Sequence, residues 1–414
     1  MPIPSISIDI WGWIEMMAES PWKAAWVLFY SGGWVLVVVV AILGGWHIWL
    51  MKRRIKFARM QKYVLLTVNL PKQTEQSPKA VENIFSHLAG LYRGLTMKEM
   101  YWEGQFQTTL SLELVSIDGY IRYYIRVNER FRDLVEATIF AQYPDAEIIE
   151  TTDYTQNVPR YFPDENYDMW GTEFVLRKSY AYPIKTYPQF EHGPSREYFK
   201  DPLASMLEFL SKLRKGEQIW LQILIQPTTN DWKKTCEAEI EKFTAKFKGK
   251  SVTGEPSLGM FAMTPGERAT LEAMQIKMSK VGFWTKIRFI YIAEKGVFRK
   301  GPIIGSMSGA LQQYGGLNEF KKCGPVSPKA DYFWQKNKFF EYITFTFYKT
   351  YHTRQNRIMK NYINRDMWGG GPMYILNTEE LATLYHFPMT EIKAPLVKKT
   401  EAKKAEPPFS LPTG

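Results

Sequence analysis

The sequence predicts an α+β protein that follows a single N-terminal membrane-spanning helix. Three observations predict this. No charged side chain occurs between Lys23 and Lys52; a strand, helix, strand, strand, helix, strand succession fills residues 63–155; and the pairing of a helix with a strong strand recurs after residue 201.

Taken in order, residues 1–21 are expected outside the cytoplasm, where ISIDIWGWIEMMAES has the composition of an amphipathic segment lying on the outer leaflet. Residues 22–51 form the span. As a helix, an uncharged run of this length reaches roughly 40 Å, against about 30 Å for the hydrocarbon core. Trp22 and Trp26 at one end, and Trp46 and Trp49 at the other, suit the two interfacial belts. A cleaved signal peptide would have a basic start and a shorter apolar run, and a buried core helix would not carry four consecutive valines at 37–40 inside so long a stretch.

The basic juxtamembrane segment, residues 52–62, supplies Lys52, Arg53, Arg54, Lys56, Arg59 and Lys62. The opposite flank has Asp9, Glu15 and Glu19 and only Lys23. The positive side is therefore expected in the cytoplasm, single-pass, with the N-terminus outside, and the cluster also attracts anionic headgroups of the lipid bilayer.

The chain's net charge is +11, from 53 Lys and Arg against 42 Asp and Glu, and its mean hydropathy is −0.29. No second uncharged run approaches spanning length, so the remainder reads as a folded protein with room for two or three domains. Cys236 and Cys323 stand in no spaced pattern, which argues against a disulfide scaffold and against a zinc site.

In the 63–155 domain YVLLTVNLP is a strand stopped by Pro71, and Ser77-Pro78 opens a helix whose apolar face is Val81, Ile84, Phe85, Leu88 and Leu91. QFQTTLSLELVS and YIRYYIRV flank Ile117, Asp118 and Gly119, a hairpin signal. A helix over 129–143 and the strand AEIIET close a ferredoxin-like (βαββαβ) arrangement. This fold serves RNA binding, metal handling and scaffolding alike, and YIRYYIRV lacks the glycine-spaced aromatic motif of RRM-type RNA recognition.

Residues 156–200 read as a linker with one edge strand, EFVLRKSYAY. The 201–388 domain then gives a helix opened by Asp201-Pro202, the strand EQIWLQILIQ, a charged helix over 231–248, a capping box at Thr264 and Glu267, and the strand FWTKIRFIYIA. This is a second, diverged ferredoxin-like α+β domain. Asn377 and Glu380 provide another capping box, and residues 389–414 are a Lys, Ala, Glu and Pro tail without core-forming residues.

No catalytic constellation, cofactor motif or metal-ligand spacing is visible, and the chain is expected not to be an enzyme. Gly249-Lys250-Ser251 ends like a P-loop, but Thr244 stands where the cradle needs glycine. The Gly-rich stretch GPIIGSMSGALQQYGG reads as a packed small-residue helix. The C-terminal third interleaves aromatics with Lys336, Lys338, Lys349, Arg354, Arg357, Lys360 and Arg365. These are candidates for contact with nucleic acid or a partner, since cations neutralise phosphates and aromatics stack on bases. The alternative is that EYITFTFYKTY is a sheet strand with core aromatics and a solvated basic rim.

VLLTVNLPKQTEQSPKAVENIF, FAQYPDAEI, YPIKTYPQFE, GEQIWLQILIQP, KVGFWTKIRFIYIA and ILNTEELATLYHFP together resemble the membrane-anchored region that precedes HerA-like or conjugation-type (type IV secretion) ATPase domains of candidate-phyla bacteria. The resemblance implies residence at a bacterial inner membrane and a P-loop motor after the ELATLYHFP element. This chain departs there: it carries no Walker A sequence, so ATPase activity is not carried over, and the motor is expected on a separate polypeptide or in a longer form of the chain. Two functions follow as expectations. One is a non-catalytic membrane-anchored subunit of a secretion or conjugation machine, docking an ATPase or assembling as a homo-oligomer; the other is a membrane-tethered protein that binds single-stranded DNA.

Overall fold

The computed structural model describes residues 20–71, 76–190, 201–247, 263–323 and 346–388. It divides into two compact units, residues 1–61 with 94–106 and residues 62–93 with 107–414.

In the first unit, helix α1 (Pro21–Leu28) enters a wide turn at Phe29–Gly33 and helix α2 (Trp34–Met60) follows. The continuous span expected over 22–51 is therefore broken. Gly32 takes φ +123°, a conformation open to glycine because it has no Cβ. Beyond the break the helix does not stop at residue 51 but carries Lys52, Arg53, Arg54, Lys56 and Arg59, the last of these in the final turn, where a cation complements the helix dipole. The 27 residues of α2 rise about 40 Å; the helix is long and apolar enough to cross a membrane, and none of its apolar window is buried.

The second unit is built on one antiparallel sheet. Its first half runs β1 (Tyr63–Asn69), α3 (Pro78–Leu88), β2 (Leu110–Ile117), β3 (Tyr120–Asn128), α4 (Arg132–Gln142) and β4 (Glu147–Glu150). Pro78 opens α3, where its missing N–H costs nothing, and Val81, Ile84, Phe85 and Leu88 form the buried face. Asp118 and Gly119, both at positive φ, make the two-residue turn between β2 and β3.

The second half runs β5 (Tyr167–Leu176), α5 (Ala204–Ser211), β6 (Glu217–Pro227), α6 (Trp232–Ala245), α7 (Pro265–Ser279), β7 (Gly282–Glu294), α8 (Lys300–Gln312), β8 (Phe320–Cys323), α9 (Thr346–Ile363), β9 (Tyr374–Asn377) and α10 (Thr378–Leu384). Thr264 and Asn377 each form the reciprocal cap with a glutamate three residues on.

The strand order is β4-β1-β3-β2-β6-β7-β5-β8, with β9 beside β7. The second half thus retraces the order of the first outward from the β2–β6 joint, which is in register from Leu110↔Ile225 to Ile117↔Gln218. The two domains expected from sequence share this sheet. The edge strand expected within the linker is an interior one: β5 lies between β7 and β8 and begins at Tyr167. Met169, Trp170, Phe174 and Val175 account for this, since residues 169–176 are buried on both faces of the strand.

One face of the sheet is apolar and takes the helices of both halves. Phe85 of α3 reaches Phe283 of β7, Ser116 of β2 donates to the Leu210 carbonyl of α5, and Tyr385 after α10 packs on Tyr123. Gly282 marks a tight contact: a Cβ there would lie 2.7 Å from the Trp232 ring and 2.9 Å from Ile375. Gly282→Ala should therefore destabilise the protein by about 1–3 kcal/mol through overpacking, read as a lowered midpoint in chemical denaturation; an unchanged midpoint would mean that Trp232 moves freely.

Candidate functional site

Strand periodicity sends Leu112 and Leu114 of β2 to the helix-covered face and Ser111 and Glu113 to the other. On that second face the register aligns one transverse row, Tyr124, Glu113, Gln222, Arg288, Glu173 and Cys323, on β3, β2, β6, β7, β5 and β8. Helix α9 and the chain after it close over this row. Gly171 leaves room for the approach, since a Cβ there would meet Ile358 of α9 at 3.1 Å.

Charged groups join the row to its cover. Arg365 donates from Nε to Glu113 Oε1 at 2.9 Å and from Nη2 to Glu113 Oε2 at 3.1 Å and Asp153 Oδ1 at 3.1 Å. Tyr154 donates to Glu113 Oε2 at 2.8 Å, and its hydroxyl lies 2.7 Å from that of Tyr362. Gln222 donates to Glu113 Oε1 and to the Tyr362 carbonyl, each at 3.2 Å. Farther along, Arg288 donates to Glu173 Oε1 at 2.7 Å, to the Asn361 carbonyl at 3.1 Å and to the Gly369 carbonyl at 2.6 Å. The Glu173 carboxylate also accepts from the Gly371 N–H.

Burial opposes ionisation of Glu113, but the charge and hydrogen bonds of Arg365, with Ser111 and Tyr154, outweigh it and hold the carboxyl below its ordinary range. Burial and the Glu113 charge push Tyr154 and Tyr362 well above the ordinary phenol range. Burial pushes the neighbouring Lys286, which donates to the Gly369 carbonyl at 2.8 Å, down to about 8. Glu113, Gln222 and Arg288 are fully buried. The row therefore works as an internal clasp that fastens the α9–β9 connection to strands of both halves.

The basic residues singled out in the sequence separate here. Thr346–Ile363 is a helix, so its part of EYITFTFYKTY is not the strand expected; Gln355, Ile358, Met359 and Tyr362 face inward at helical spacing. Arg357 and Lys360 are exposed on the outer side and Arg354 is half-buried. Arg365 is corrected from a surface contact to an interior ion pair: the chain leaves α9 with Arg365 at φ +50°, which carries its side chain to Glu113 and Asp153. Lys349 falls within α9, but its side chain, with Lys336, Lys338, Gly249-Lys250-Ser251, residues 1–19 and the 389–414 tail, lies outside the described residues.

On the apolar helices Trp22 and Trp26 are 79% and 59% exposed, Trp46 and Trp49 stack with centroids 5.1 Å apart, and the Arg53 guanidinium lies 5.3 Å from the Trp49 ring. Among the described residues no group of His, Cys, Asp or Glu is placed to hold a metal ion. Sequence reasoning missed Glu113, Asp153, Tyr154, Glu173, Gln222 and Arg288. Glu113, Glu173, Gln222 and Arg288 are signalled in the sequence only as polar residues within largely apolar strands, and strand register alone shows that they align; Asp153 and Tyr154 lie in the turn after β4 and carry no such signal.

A family model described as Domain of unknown function (DUF8128) matches residues 69–298, more than half of the chain, from the end of β1 to the loop beyond β7. No curated protein matches the chain.

Proposed function

We propose that this chain, which belongs to the family of the domain of unknown function DUF8128, is a non-catalytic membrane-anchored subunit of a type IV secretion or conjugation-like machine. It docks a separate P-loop ATPase, or assembles with itself, at the cytoplasmic face of a bacterial inner membrane. The observation that carries this reading is the combination of an exposed apolar helix, Trp34–Met60, with an α+β body in which the buried charges of Glu113, Glu173, Arg288 and Arg365 are consumed in holding its own chain together. A body of that kind offers partners a rigid surface rather than a reactive centre. Both halves are read as ferredoxin-like units, supported by the strand order and by a helix between the first and second strand of each. The positive-inside asymmetry around α2 supports a cytoplasmic body. The secretion assignment rests on the sequence resemblance.

The docking face is assigned to the outer side of α9, where Arg357 and Lys360 are exposed above a helix clamped to the sheet. Arg357→Ala with Lys360→Ala should leave the fold intact, because surface changes of this kind cost within about 0.5 kcal/mol, and should reduce recovery of a P-loop ATPase when the full chain is purified from native membranes in mild detergent. Mass spectrometry of the co-purifying proteins reads the result. Undiminished recovery removes this face from the reading. Recovery of salt-removable nucleic acid without an ATPase favours the second reading, a single-strand-binding surface on the same cations.

A further inference from the structure

Residues 94–106 leave the second unit between α3 and β2 and fold with α2 in the first. Thr96 and Glu99 start the segment with a reciprocal cap, Thr96 N–H to Glu99 Oε2 at 2.8 Å and Glu99 N–H to Thr96 Oγ1 at 3.3 Å, and one wide helical turn covers Lys98–Glu103. Gly104 ends it at φ +73°, pressed so closely on α2 that a Cβ would lie 2.6 Å from the Arg53 carbonyl carbon. Two ring contacts fix the segment lengthwise: Trp102 on Trp49, with centroids 5.4 Å apart, and Phe106 on Phe57 at 5.3 Å.

Three apolar side chains of this segment point outward, while Leu95, Met100 and Phe106 are half-buried. Met97 is 72% exposed, Trp102 59% and Tyr101 36%, and with Trp46 they line one concave apolar patch. The patch lies beside Trp46 and Trp49, where the uncharged run gives way to Lys52, Arg53 and Arg54. It continues the exposed apolar surface of α2, and it does so at the level where indole and phenol rings prefer to lie, between acyl chains and headgroups. Lys98 on the rim adds a cation for lipid phosphate.

We infer that residues 94–106 are a second membrane-contacting element, a monotopic segment that sets Met97, Tyr101 and Trp102 into the headgroup–acyl boundary of the leaflet that meets the basic end of α2. The occupant of the patch is phospholipid. The inference rests on α2 spanning the bilayer, and the test separates the two. A benzophenone amino acid is placed at Tyr101 and, in a second protein, at Val38 in the middle of the apolar run. Each full-length chain is reconstituted into nanodiscs of phosphatidylcholine and phosphatidylglycerol, irradiated and weighed by mass spectrometry. Gain of one phospholipid mass at both positions is the expected result. A lipid adduct at Val38 with none at Tyr101, or with only a protein crosslink there, overturns the inference and leaves the span standing. Absence of lipid at both positions overturns the span and the inference together.

Discussion

Arg365→Met should lower the unfolding free energy by about 3–5 kcal/mol, because it strands the Glu113 carboxylate in the interior with no charged partner. Glu113 and Gln222 are fully buried beneath α9, and Arg365 nearly so. Urea unfolding of the detergent-solubilised chain measures the loss. The double variant Arg365→Met with Glu113→Gln should cost less than the sum of its parts, since the second change removes the stranded charge. A loss below about 1 kcal/mol for Arg365→Met would show that the clasp is not a stabilising element.

Buried and half-buried carboxylates, two in this cluster and two elsewhere, set the acid limit of the fold. Glu82, Glu113, Asp153 and Glu217 all have carboxyls held below their ordinary range: burial raises each, and hydrogen bonds and cations lower each further. A depressed carboxyl gives stability that is fully present above the ordinary unfolded value, about 4, and is lost as pH falls through the folded one. The unfolding midpoint should therefore be level from neutral pH to about 5 and drop steeply below about 4, with a smaller drop in Arg365→Met.

The second large effect is expected at Glu380. Its carboxylate pairs with the Lys277 ammonium at 2.8 Å, both side chains being fully buried. It also accepts from the Ile184 N–H at 3.0 Å and closes the cap on Asn377 at 2.9 Å. Glu380→Ala should cost about 3–5 kcal/mol, leaving Lys277, among the described residues, with the Ile375 carbonyl and no carboxylate. Glu380→Gln removes the charge but keeps one accepting oxygen, enough for the Asn377 cap, while its NH2 faces the Ile184 N–H where an acceptor stood, so it should cost less than Glu380→Ala and the difference isolates the cap. Thermal unfolding followed by circular dichroism distinguishes the two variants; equal losses would assign the effect to the ion pair and the Ile184 bond, with nothing left for the cap. Limited proteolysis of Glu380→Ala should cut first around residues 378–387, because α10 is fastened by this pair and by Lys280 bridging Glu82 of α3 to Glu379.

Much of this architecture was legible in the chain. The elements of residues 63–150 fall close to where periodicity, Ser77-Pro78 and the Asp118-Gly119 turn set them, because each is specified by local chemistry. Misreadings arise where distant packing decides. EYITFTFYKTY has strand composition, yet residues from Thr346 on are helical because Gln355, Ile358, Met359 and Tyr362 answer to a sheet face assembled from distant strands. Tyr167–Leu176 begins in a Pro- and Tyr-rich stretch that reads as linker, and only its pairing with both β7 and β8 makes it interior. A basic residue at a helix end has the same letter whether it meets solvent, as Lys360 does, or a carboxylate 252 positions away, as Arg365 does.

The palindromic strand order bears on how copies of this chain can meet. A two-fold pairing of such halves through their second strands gives this succession, and here that pairing is made within one polypeptide, between β2 and β6. Among the described residues the rims of the path are β4 and β8, each four residues long, the one bearing Glu147 and Glu150 and the other Lys321 and Lys322. Short, charged rims resist edge-to-edge growth. Any ring or array of these chains is therefore expected to close through helical surfaces and not by extending the sheet.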